Sequence, residues 1–207
     1  TEQRYGLRFT PDHREFLRIL HTLDPPAIDV RKAEEDDADQ ETRRTETRLF
    51  YNWLTDEPEL RRRLDWPYVE ILRDIEGVNR YWSLAWGPRP ATSAERKAVF
   101  THYFAKSPRL IPLLGHRFMV SEPRQAGNPV LSVYGYDTIL YGWDLRHYLL
   151  GEIGRYLDIY RFDEQEEEWY STTEPTVEAI MPQAWASCPD RRIPFYEDII
   201  RPWHGWP

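Results

Sequence analysis

Cys188 is the only cysteine in the chain. No internal disulfide can form, and a zinc site built from cysteine ligands of one chain is excluded. A reducing compartment is the expected setting. Long apolar runs are just as scarce, and none approaches the ~20 residues needed to cross a bilayer. Thr1 to Phe9 is charged and has no apolar signal-peptide region, and the chain starts without an initiator methionine, as expected of a trimmed chain. Positive charge is in deficit: 27 Lys and Arg face 35 Asp and Glu, a formal charge of −8. Such a chain repels nucleic acid and anionic lipid and favours basic partners. The signatures of common chemistries are missing too. There is no P-loop, Gly-x-Gly-x-x-Gly, Gly-x-Ser-x-Gly or His-Glu-x-x-His motif. A cytoplasmic protein without cofactor, metal, nucleic-acid or membrane partner is expected.

What is present is enough for a packed core. Hydrophobic residues make up 41% and charged residues 30%, which sets the chain apart from disordered sequences. The 9 Trp, 13 Tyr and 8 Phe supply large rings for a core or for interface anchors. A length of 207 residues fits one domain spanning 1–207.

Thr10-Pro11 opens a helix whose apolar face carries Phe16, Ile19, Leu20 and Leu23, and Asp24-Pro25-Pro26 ends it. Residues 29–47 are acidic and poor in apolar side chains, and are expected to form a mobile segment. Leu49 to Leu54 and Leu60 to Leu64 look helical, with a break near Pro58. The even spacing of Val69, Ile71 and Ile75 predicts a strand, returned by Tyr81 to Trp86 across a Gly77 turn. Thr92 and Glu95 have the spacing of a capping box, ahead of a helix bearing Val99, Phe100, Tyr103 and Phe104. Four strands follow: Leu110 to Leu114, Arg117 to Val120, Val130 to Tyr134 and Thr138 to Tyr141. Asp144 is placed to cap a helix through Leu157. Asp163 to Glu168 is an acidic run, and the Pro/Trp-rich tail at 191–207 is expected to wrap the surface as an extended arm. Strands grouped between helices predict an α+β fold: a central twisted, mostly antiparallel sheet flanked by N-terminal and C-terminal helices.

Several residues bear on chemistry. His116-Arg117, after Gly115, could hold a phosphate or a carboxylate. The competing reading, which we favour, is a strand-end pair hydrogen-bonded to a loop or to Asp137. Asp144 and His147 are three apart on one helical face, a spacing that also arises by chance. Trp82 and Trp86, four apart on the expected strand, belong in the core or form an exposed platform, and the core is favoured. Arg61-Arg62-Arg63 reads as a solvated helix face. The acidic clusters Glu34, Glu35, Asp36, Asp37 and Glu166, Glu167, Glu168 are either solvated or dock a basic partner.

The segment Asp74-Ile75-Glu76-Gly77-Val78-Asn79-Arg80-Tyr81-Trp82, running on to Trp86-Gly87-Pro88-Arg89-Pro90, resembles the SUKH superfamily. So do Arg109-Leu110-Ile111-Pro112 with Gly115-His116-Arg117, and Gly127-Asn128-Pro129-Val130-Leu131-Ser132-Val133-Tyr134 with Asp137-Thr138-Ile139 and Tyr141-Gly142. The resemblance is dense from Asp74 to Gly154. Tyr81 departs from it where Phe is expected, Tyr196 where Trp is expected, and the acidic stretch replaces a shorter turn.

The resemblance implies an α+β fold without a catalytic residue or cofactor. It also implies that many bacterial members are immunity proteins, which neutralise a polymorphic toxin, commonly a nuclease. Others are regulatory adaptors. Trp82, Trp86, Arg89, His116, Arg117, Asn128, Asp137 and Tyr141 would then build the fold, and the acidic clusters would meet a basic toxin domain. A regulatory or scaffolding adaptor is the alternative, and an enzyme using His116, Arg117 and Asp137 a third reading.

Overall fold

Thr10 is extended and Pro11 occupies the first turn of a helix, so the chain turns into a helix where a missing amide costs nothing. The computed structural model describes residues 1–21, 50–153, 160–171 and 193–204. A single helical turn, α1 (Glu2–Tyr5), precedes α2 (Pro11–Leu20). The expected continuation of α2 to Leu23 and the acidic segment 29–47 lie outside the described residues. Ile19 and Leu20 are 62% and 51% exposed, so only the Phe16 end of the α2 apolar stripe is covered.

Residues Phe50 to Thr55 form an extended stretch and a turn, not the expected helical piece. Asn52 organises it: its amide donates to Asp56 Oδ2 at 2.8 Å and its Oδ1 accepts from the Leu54 amide at 2.9 Å. Next comes the longest helix, α3 (Glu57–Glu76). It replaces both the break near Pro58 and the strand expected from Val69 to Ile75. Pro58 lies in the first turn and breaks nothing. Pro67 is inside the helix and buried. Ile71 and Ile75 are four apart and fully buried, whereas Val69, which suggested alternation, is 52% exposed. A pair at i and i+4 fits either period, and packing decides for the helix.

Tyr81 to Trp86 is likewise no strand. It is a loop ending in a short 3-10 turn, Leu84–Trp86, whose Ser83 hydroxyl accepts from the Ala85 amide. Helix α4 (Ser93–Phe104) begins at the expected capping box: Thr92 Oγ1 accepts from the Glu95 amide and Glu95 Oε2 from the Thr92 amide, both at 3.3 Å.

The four expected strands are present as β1 (Leu110–Leu114), β2 (Arg117–Val120), β3 (Val130–Tyr134) and β4 (Asp137–Gly142). They form one antiparallel sheet in the order β1-β2-β3-β4. Its side chains alternate between two cores. Phe118, Val120, Leu131 and Val133 face a cluster with Trp66, Ile71 and Ile75 of α3, Trp86 and Phe100. Met119 and Val130 point the other way, to Phe16, Phe50, Leu145 and Tyr148. Ile111 joins a third cluster with Tyr5, Leu7, Phe9, Tyr51, Trp53 and Leu60.

Helix α5 (Leu145–Ile153) starts where Asp144 Oδ1 accepts from the His147 amide at 2.7 Å. Its expected extension through Tyr156 and Leu157 is outside the described residues. The acidic run forms the turn of a two-stranded hairpin, β5 (Tyr160–Asp163) and β6 (Glu168–Ser171). The tail is not an extended arm between Tyr196 and His204, where it forms α6. Ile193, Tyr196, Ile199 and Ile200 are buried in the cluster of Trp86, because an amphipathic turn covers more apolar area there than an extended strand would. The α+β class, with helices around an antiparallel sheet, is the observed one.

Candidate functional site

The β1–β2 turn carries His116 and Arg117, and the fold uses both. Gly115 has φ +52°, which a side chain would strain, and the turn brings the His116 carbonyl within 2.8 Å of the Val133 amide. Burial pushes the His116 imidazole down to about 4, and the Arg117 and Arg63 guanidiniums push it the same way. At neutral pH the ring is therefore uncharged. It meets Tyr134 edge-on at 6.0 Å. Asp137 influences it through space without a hydrogen bond among the described residues. Arg117 is held on three sides: Nη1 donates to Ser132 Oγ at 2.6 Å, Nε lies 3.8 Å from Glu152, and the guanidinium sits 3.7 Å over the Tyr141 ring. His116, Arg117 and Tyr141 are thus brought together as a packed strand-end cluster.

Asp137, counted above among the residues that would build the fold, does not hold the β3–β4 turn among the described residues. It is exposed, at the β4 start. The work falls to Asp74 of α3, whose Oδ2 accepts from the Tyr136 amide at 2.8 Å and whose Oδ1 accepts from Asn79 Nδ2 at 2.6 Å. Gly135 explains the closeness, since a Cβ there would stand 1.7 Å from Asp74 Oδ2, and its φ is +64°. Nothing in the pattern around Asp74 signals this role, because its partner lies 62 residues away.

Trp86 is buried among rings: Tyr81 and Trp82 meet it edge-on at 5.7 and 5.2 Å, and Phe195 stacks on it at 5.9 Å. Trp82, expected on the same strand face, is only half-buried, because the segment is a loop. Its Nε1 donates to the Gly87 carbonyl at 2.8 Å. Arg89 Nη2 donates to the Ile75 carbonyl at 2.7 Å, satisfying a free group at the end of α3. Asn128 is buried and closes the 121–129 loop, with Nδ2 donating to the Val120 and Pro123 carbonyls at 3.0 and 2.7 Å.

Charge on the surface is distributed unevenly. Arg61 pairs with Glu57 at 2.7 Å, and Arg62 and Arg63 with Glu59 at 2.6 and 2.7 Å, so each arginine of the triplet is ion-paired on its own helix, three guanidiniums sharing two carboxylates. At the β5–β6 turn the reverse holds. Asp163, Glu164, Glu166, Glu167 and Glu168 are all exposed, and among the described residues none pairs with Lys or Arg. Asp163 Oδ1 shapes the turn by accepting from the Gln165 amide at 2.8 Å, and Glu166 accepts from the Tyr170 hydroxyl. Phe162 and Tyr170 beside them are each 43% exposed. The other acidic cluster, Glu34, Glu35, Asp36 and Asp37, lies outside the described residues, as do Cys188 and Trp206. Asp144, paired with His147 through that residue's backbone amide, acts as a helix cap. Among the described residues no group of three His, Cys, Asp or Glu is placed to hold a metal ion, and no helix is long and apolar enough to cross a membrane. No protein-family model, curated protein or solved structure matches the chain.

Proposed function

We propose that the chain is a protein-binding immunity protein of the SUKH type, which neutralises a polymorphic toxin with a basic domain, such as a nuclease. The observation that carries this reading is how side chains are used. Trp86, Arg117 and Asn128, which bear the family resemblance, spend most of their polar and apolar surface inside the fold. The exposed carboxylates of the β5–β6 turn, which pair with no Lys or Arg among the described residues, face outward with Phe162 and Tyr170 beside them. A basic partner gains most from such a surface, because five carboxylates concentrate negative charge there. The His116 cluster supports binding over catalysis: its imidazole, pushed down to about 4, is a weak base, both nearby guanidiniums are already paired, and the Ser132 hydroxyl is engaged by Arg117.

The test is stoichiometric. Activity of a toxin domain sought among the products of neighbouring genes, titrated with the protein, should fall to zero at one equivalent. Tight binding without inhibition would favour a regulatory adaptor instead. Turnover by the protein itself, abolished by His116→Ala with the fold intact, would overturn the binding reading.

A further inference from the structure

The connection from α3 to α4 folds over a recess of about 510 Å³ lined by Glu76, Gly77, Arg80, Arg89, Pro90, Ala91 and Arg96. Three guanidiniums and one carboxylate line it. Arg96 and Glu76 neutralise each other, with Arg96 Nε 2.8 Å from Glu76 Oε1, and Arg96 Nη1 also donates to the Ala91 carbonyl at 2.7 Å. Arg89 has one donor on the Ile75 carbonyl, a neutral acceptor, while its Nε is buried without any. A buried donor left so is costly. The Arg80 side chain has no hydrogen bond or ion pair among the described residues and is exposed. Its backbone is left-handed, with φ +48°, a strained conformation for a residue with a side chain.

Among the described residues the recess therefore carries a net charge of +2, with Glu76 paired to Arg96 and also within electrostatic reach of Arg89. A second groove offers a contrast. It is lined by Arg8, Arg109 and Arg124, but also by Glu2 and Glu122, and Arg109 is committed to the Gly6 and Tyr5 carbonyls at 2.6 and 3.1 Å. We propose that the Arg80–Arg89–Arg96 recess binds a phosphate-class dianion, whether the free ion or a phosphate monoester. A dianion matches the net charge of the recess, whereas a carboxylate would leave one positive charge over. Phosphate oxygens also suit the planar fork of arginine. This inference does not depend on the immunity reading, and its test uses no toxin.

The experiment is an amide-detected NMR titration of the full chain with inorganic phosphate, and separately with phosphoserine, at constant ionic strength set by chloride. Saturable shifts of the Gly77, Arg80 and Ala91 amides are expected with at least one of the two. Tighter phosphoserine binding assigns the source to a phosphorylated partner, and equal or weaker binding assigns it to the free ion. Arg80→Gly should lower the affinity by about tenfold or more, the usual loss for a charge-assisted contact. It should also leave the protein at least as stable, since glycine suits a positive φ. No saturation with either probe, shifts centred on Arg124, or an affinity unchanged by Arg80→Gly would each overturn the proposal.

Discussion

His13 sits in α2 with no exposed surface, against the rings of Phe9, Phe16 and Trp53, and neither ring nitrogen has a hydrogen-bond partner. Burial pushes its imidazole down to about 3, far below the usual 6.5. The unfolded chain therefore takes up a proton that the folded chain refuses. Stability is fully present above about pH 6.5 and is lost as pH falls toward 3, at up to about 1.4 kcal/mol per pH unit for this one proton. His116 acts in the same direction. Urea unfolding from pH 7 to pH 4.5 should show the decline. His13→Leu should flatten it and keep the fold, because an apolar group removes two unsatisfied nitrogens. A pH profile unchanged by that substitution would contradict this role. Asp74 and Gly135 form the second residue-scale case. Asp74→Ala should cost about 1–3 kcal/mol through two lost hydrogen bonds. Gly135→Ala should be severe in the parent and milder, about 1–2 kcal/mol, in the Asp74→Ala background, where only the left-handed backbone cost remains. Strict additivity in that cycle would mean that the two residues do not meet.

Elements differ in how they hold together, and the 3-10 turn with its Trp86 is the clearest instance. Trp86 joins the loop after α3 to α4 and, through Phe195, to the start of α6. Phe195 has φ +71°, so the packing of its ring holds a backbone conformation that is otherwise unfavourable. Trp86→Ala should cost about 3–5 kcal/mol in thermal or urea unfolding, as other large-to-small core changes do. A variant nearly as stable as the parent would show that the rings can close over the gap. The capping box and the four strands were legible in the sequence because their signals are local: a cap at fixed spacing, and short apolar runs divided at Gly115 and Gly135. Helix α3 was not. Pro58 and Pro67 both resemble breaks, yet one occupies a permitted first turn and the other is accommodated by burial of its ring. Helix α6 was hidden by Pro202 and Trp203 and by the Pro/Trp-rich sequence around it, although Ile199 and Ile200 supply its buried face. The site divides the same way. Exposed acids can be read directly from composition, whereas Asp74's role and the Arg80 recess arise only when distant segments meet.

For the whole molecule, charge is the property that reaches furthest. A formal −8 is spread over a surface where the arginine triplet is ion-paired on its own helix and, among the described residues, the acids of the β5–β6 turn are not. Opposite charges steer an encounter over about a Debye length, roughly 8 Å at physiological salt, and do so before any close contact forms. Steering by Glu166, Glu167 and Glu168 should therefore show in association more than in dissociation. The most direct measurement is stopped-flow binding of the full chain to the proposed partner, a basic toxin domain sought among the products of neighbouring genes, at low and high salt, with the parent and with all three glutamates reversed to Lys. The account predicts a one-to-one complex whose association slows several-fold with salt and with the triple reversal, while dissociation hardly changes. Absence of a complex, or an association rate indifferent to both salt and the reversal, would contradict it.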